Sequence, residues 1–161
     1  MNRILLAGTI ALALTSAASA EVLKENNMPL DIAVDLAQGA VSACAADGYN
    51  VSAAVVDRAG VVRALLRADN AGPHTVSAAS QKAFTSVSAR IPTSVMVENI
   101  QKNQGAAQLV AIDGFLVLAG GVPVKIGKET IGAIGVGGAP GGHLDEACAN
   151  AAIAKVQDQL K

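Results

Sequence analysis

An imidazole is the side chain best suited to ligate a transition metal or move a proton near neutral pH, and the sequence has two, His74 and His143. His74 follows Pro73 and opens a stretch without helix breakers, so the pattern predicts a helix from His74 to about Arg90. On such a helix His74, Thr75, Ala78, Lys82 and Thr85 share one face. Together they suit an anionic cofactor that carries a metal, with His74 towards the metal and Lys82 towards a carboxylate. The same residues also have a plainer use, in which His74 orders the start of the helix and Lys82 pairs with an acid across a subunit contact. Arg63 and Arg67 lie on one side of a strand because side chains alternate there, where they serve as further anion contacts or as solvated edge-strand charges.

His143 sits in a glycine-rich turn ahead of the last helical stretch. A strand, a glycine loop and a helix N-terminus can bind an anion through free backbone N–H groups, which raises nucleotide binding as a rival. Gly135-Val136-Gly137-Gly138-Ala139-Pro140 fails the G-x-G-x-x-G pattern at its sixth position, and no G-K-[ST] follows. Asp145 and Glu146 would repel a phosphate in that first turn, so the glycines are read as a tight turn and Asp145 as a cap or first-turn acid. Hydrolytic motifs are missing too: there is no G-x-S-x-G elbow and no H-E-x-x-H. Cys44 and Cys148 do not form C-x-x-C, which speaks against a zinc or thioredoxin-like site. Met28 and Met96 are soft donors, but methionine usually fills gaps in a core.

The elements that must position these residues follow from periodicity. Leu30, Ala33, Val34, Ala37, Val41 and Cys44 mark a first helix between Pro29 and Asp47-Gly48. Val51 to Asp57 and Val61 to Ala68 read as a hairpin turning at Arg58-Ala59-Gly60. After the helix that begins at His74, Ile91-Pro92 interrupts, and Thr93 to Lys102 reads as a shorter helix capped by Thr93. Ten of the 16 glycines fall between Gly114 and Gly142, punctuating three strands at Phe115–Ala119, Val122–Ile126 and Thr130–Val136. Leu144 to Leu160 supplies the last helix. The expected fold is α/β of the α+β kind, an antiparallel five-stranded sheet flanked by helices.

Composition narrows the function. The 161 residues are 52% apolar, which excludes a disordered chain, and the net charge of -1 leaves no basic surplus for nucleic acid. Alanine supplies 33 residues and aromatics only 2%, so packing relies on small side chains and a lone copy buries little area; a homo-oligomer is expected. Met1-Asn2-Arg3, the apolar run Ile4–Leu14 and Ala18-Ser19-Ala20 have the layout of a secretory signal peptide cut before Glu21. That run is too short to span a bilayer, which takes roughly 20 residues. Residues 1–20 are therefore read as a leader and 21–161 as one domain, periplasmic or secreted, with no membrane span after cleavage.

Four ordered stretches carry a family likeness: Ala71-Gly72-Pro73-His74-Thr75, Lys82-Ala83-Phe84-Thr85, Gly120-Gly121-Val122-Pro123-Val124, and the run from Gly132 to Cys148 that ends in Asp145-Glu146-Ala147-Cys148. They resemble the GlcG/HbpS (DUF336-like) family of haem-binding proteins, across essentially the whole chain after the leader. Gly137 stands where that family usually has Ser, and His143 falls at a position that varies within it. The resemblance implies a profilin-like domain assembled into oligomers, often octamers, that binds haem and in some members degrades it or senses redox state. On that reading haem or a related small ligand is the partner, His74 faces the iron, and Lys82, Thr85, Arg67 and His143 are further cofactor contacts. The alternative is a non-enzymatic oligomeric module that binds a small carboxylate or a partner protein. Few aromatics favour a site at a subunit junction or on the surface over a deep pocket. In the implied arrangement the terminal helices lie on one side of the sheet, bringing Cys44 and Cys148 to similar heights. They are then either a disulfide or two buried thiols packed as small hydrophobes.

Overall fold

The computed structural model describes residues 20–161; the expected leader lies outside the described residues except for Ala20. Helix α1 (Leu30–Ala46) precedes a hairpin of β1 (Ser52–Asp57) and β2 (Val62–Arg67), followed by α2 (Thr75–Ala89) and α3 (Thr93–Lys102). A 3-10 stretch (Gln104–Ala111) leads to the hairpin β3 (Gly121–Ile126) and β4 (Glu129–Gly137), and α4 (Gly142–Val156) closes the fold. The sheet order is β2-β1-β4-β3 with every pair antiparallel. Helices α1 and α4 pack together on one face of the sheet, and α2 lies on the other. Strand β1 is central and covered on both faces, so all six of its residues are buried.

The sheet has four strands, not the five expected. Phe115–Ala119 joins no ladder. Gly114 (φ 81°) and Gly120 (φ 122°) bend the chain at its two ends, the Leu116 N–H donates to Thr85 Oγ1 at 2.8 Å, and the Leu118 N–H closes a tight turn on the Leu116 carbonyl. A side-chain hydroxyl and a turn satisfy the backbone that a fifth strand would have paired. Thr93 does not cap α3 either: its hydroxyl accepts from the Gly121 N–H at 2.9 Å and ties the helix to the start of β3. Arg63 has no partner in β1, because the register slips between Ala64 opposite Val55 and Val62 opposite Val56.

Glycine density in the second half answers to α2. A Cβ at Gly135 would overlap the Ala79 carbonyl oxygen, and one at Gly121 would overlap that of Lys82. The helix backbone thus rests directly on these two strand positions, with Ala79 and Ala83 as its own contact residues. On the opposite face Ile134 and Val136 join Leu36, Ala37, Ala40 and Ala149 in the main core. There Cys44 and Cys148 are bonded as a disulfide, with Cα atoms 5.4 Å apart, and it fastens α1 to α4 across a separation of 104 residues. Closing so long a loop contributes up to about 4–5 kcal/mol on chain entropy.

One ion pair crosses from α2 to α4. The Lys82 ammonium, 1% exposed, donates to Asp145 Oδ2 at 2.8 Å and to the Val136 carbonyl at 2.9 Å. Asp145 Oδ1 accepts from the Ala139 N–H at 3.0 Å. Every charged atom in the pair has a partner, as burial demands. At the far end of the sheet the segment before α1 is tied down by Arg58, which bridges Glu25 and Glu129, while the Asn26 amide donates to Glu129. The hydrogen bond from Asn26, then that from Arg58, holds the Glu129 carboxyl below its ordinary value. That contribution to stability is complete above the ordinary carboxylate pKa and is lost as pH falls through the lowered one.

Three single substitutions and one double variant test this packing in urea unfolding. Gly135→Ala is expected to lower stability by about 2–3 kcal/mol through overpacking, whereas Gly127→Ala, at φ 57° with open space around it, costs about 1 kcal/mol. Lys82→Met leaves Asp145 buried without its partner and is expected to cost about 3–5 kcal/mol, part of which the double variant Lys82→Met/Asp145→Leu restores. Wild-type stability in the Lys82 single variant would remove the pair as an anchor.

Candidate functional site

The ion pair forms the floor of a cleft of about 330 Å³. One wall is the start of α2, with His74 and Ala78; the other is the irregular segment before β3, which presents Leu118 at 48% exposure. The turn Gly137–Gly142, with Ala139 and Pro140, closes the end. The strand that failed to form is therefore a flank of the cleft. Gly120 makes this possible, since a Cβ there would meet Lys82 Nζ at 2.9 Å and the Asp145 Cβ at 2.8 Å.

His74 is the residue before the first turn of α2, and it is exposed. Its loop is strapped from two sides: the Arg67 guanidinium donates to the Ala71 carbonyl, and Thr75 Oγ1 lies 2.7 Å from both the Gly72 carbonyl and Ser52 Oγ. The ring lies over Gly72, where an added Cβ would meet it at 2.8 Å. Arg67 thus works here as a positioning group for the His74 loop, and its register with Ser52 places it beside the same buried hydroxyl pair.

His74 and Lys82 come together at the cleft; the other expected site residues do not line it. The Lys82 ammonium is committed to Asp145 and Val136 of its own chain, so the acid expected across a subunit contact is an internal one. Thr85 is fully buried and holds Leu116, two residues before Leu118. His143 is exposed in the first turn of α4 with its ring against Gly141, a lining residue of the cleft, so it lies beside the cleft and outside its lining. Met28 and Met96 are buried core residues. The sequence reading missed Asp145 as the partner of Lys82: its place in a first turn explains it locally, and 63 residues separate it from Lys82.

Chemically the floor is an internally neutralised pair, and the open groups are one imidazole, the backbone of a glycine turn and the apolar surfaces of Ala78, Leu118, Ala139 and Pro140. Among the described residues no group of three or more His, Cys, Asp or Glu side chains could hold a bare metal ion. Iron carried in a tetrapyrrole needs only an axial ligand from the protein. A single exposed imidazole beside a glycine-rich turn fits that requirement, and the cleft volume lies at the lower end of ligand sites, about 300–1,000 Å³. No described helix is long and apolar enough to cross a membrane.

Known proteins agree with this architecture. The family model described as "Haem degrading protein HbpS-like" matches residues 9–154. Protein GlcG of Escherichia coli K12 is 35% identical over 90 residues, 56% of this chain and 66% of GlcG, so the match spans just under two thirds of that relative. A crystal structure of a double mutant of HbpS from Streptomyces reticuli is 41% identical and superposes with a TM-score of 0.81, covering 91% of this chain and 98% of that one. At 21% identity and a TM-score of 0.71, a PduOC:Heme complex, covering 80% of this chain and 94% of that one, shows the shared fold. With the family model covering most of the sequence and HbpS covered almost end to end, the chain belongs to the HbpS-like (GlcG/HbpS) family.

Proposed function

We propose that the protein is an exported haem- or tetrapyrrole-binding protein and that the ligand sits at the cleft with His74 towards its metal. The exposed imidazole of His74 at the mouth of a cleft with apolar flanks, in a chain of the HbpS-like family, carries the reading. When bound, haem supplies iron that binds a further ligand or exchanges an electron. His74 would hold the metal from the end of a strapped loop, Ala78 and Leu118 would cover the macrocycle face, and the Lys82–Asp145 pair would keep the floor dry and neutral. Because Lys82 is already paired and the Ala139 N–H is held by Asp145, a propionate would meet the glycine N–H groups of the Gly137–Gly142 turn and solvent, with His143 at the rim. Degradation of haem is named by the family description and would need a reductant and oxygen in addition to these residues.

The cleft is too small to enclose a whole tetrapyrrole, so part of the ligand would lie at the surface or against another copy. In this reading the domain is profilin-like with four strands and assembles into oligomers, octamers included. Its small volume also favours a second reading, a module that takes a small carboxylate without turnover. The buried Cys44–Cys148 disulfide supports export, since such bonds persist in oxidising compartments.

A Soret titration with haemin tests the assignment. His74→Ala is expected to weaken binding at least about 10-fold, equivalent to about 1.4 kcal/mol, and to shift the band, while His143→Ala changes affinity less than about threefold. An unchanged His74→Ala variant, or loss of binding only in His143→Ala, would reverse the assignment; no Soret change in the wild type would favour the small-carboxylate reading. For export, intact mass of the protein recovered outside the cytoplasm is expected to begin at Glu21. A mass that still includes Arg3 would contradict it.

A further inference from the structure

A second concavity, of about 380 Å³, lies on the α2 face of the sheet away from the His74 cleft. Val56 and Val62 form its base, and Phe84 of α2 forms its side. Gly60 of the β1–β2 turn lies against one edge of the Phe84 ring, Cδ2–Cε2, and Gly114 lies against the other, Cδ1–Cε1, both glycines at φ 81°. The two walls therefore stand on opposite sides of the ring, and exposed Asp113, which precedes Gly114, gives the second a negative charge in the lining. Strand β2 is an edge strand, and Val62 remains 47% exposed.

The same chain displays a segment of matching chemistry. Glu21-Val22-Leu23-Lys24 reads acid, apolar, apolar, base, and its two apolar residues are 84% and 78% exposed. Three residues further on, Asn27 Oδ1 accepts from the Arg58 N–H, so the segment leaves the fold at the β1–β2 turn whose Gly60 lines the groove. It does not enter the groove of its own copy. We infer that the groove beside Phe84 receives the Glu21–Lys24 segment of a second copy, with Val22 and Leu23 over Phe84 and Val62, and Lys24 towards Asp113. A small-residue core that buries little area in one copy gains apolar burial from this exchange, and the bulge at Arg63 turns β2 away from direct edge-to-edge pairing. The inference is independent of the haem reading, because the groove and the His74 cleft share no lining residue.

The test places a photo-crosslinking amino acid at Leu23 in purified protein mixed from isotopically light and heavy copies. Mixed light–heavy products joining residue 23 to the 56–62, 80–84 or 113–114 peptides are expected, and Leu23→Asp, a change at an exposed position, is expected to shift the mass by light scattering towards smaller species. Crosslinks confined to one copy, crosslinks to another surface, or no crosslink to these peptides would overturn the inference. So would a Leu23→Asp protein of unchanged mass.

Discussion

A buried ammonium is tolerated only where it is paired with an opposite charge and hydrogen-bonded, and that condition organises the site end of this protein. Lys82 reaches from α2 to the Val136 carbonyl on β4 and to Asp145 on α4, and Asp145 in turn takes the Ala139 N–H of the intervening turn. Three elements and one turn are thereby fixed at a single point. The turn so held, Gly137–Gly142, forms the end of the cleft, and Gly120 can lie against the pair only because it lacks a side chain. Removing either charge would disturb the floor, an end and a flank of the cleft at once.

The glycine and alanine content follows from the same geometry. For Lys82 to reach Asp145, α2 must lie close to the sheet, and Gly121 and Gly135 permit that by offering backbone where other strands offer side chains. The cost is a core with little apolar area per residue on that face, where Val56, Ala83, Val87 and Ala133 form a small buried cluster. The opposite face has the larger cluster and the disulfide, which constrains α4 three residues after Asp145. Stability is thus concentrated on the α1–α4 side, while the α2 side carries both concavities.

Much of this was legible in the sequence. Pro29 and Gly48 bounded α1, the β-branched runs around Gly60 gave the first hairpin, and the four motif stretches led to the family. What escaped was non-local. Phe115–Ala119 has the composition of a strand, and only Thr85, 31 residues before Leu116, shows why its backbone is satisfied otherwise. Lys82 looked available for a ligand because Asp145 is brought to it by tertiary packing alone. The helical face of His74, Lys82 and Thr85 exists, but Lys82 and Thr85 point into the protein, leaving His74 as its exposed member. The 3-10 stretch Gln104–Ala111, capped by Asn103 on Gly105, carried no periodic signal strong enough to be expected.

The central claim, that this cleft is where a tetrapyrrole binds, is tested most directly by amide hydrogen exchange of the protein with and without haemin. Slowed exchange confined to residues 74–78, 116–120 and 137–145 is expected. Slowing confined to the groove at 56–62, 80–84 and 113–114, or no slowing around His74 and the glycine turn at saturating haemin, would contradict it.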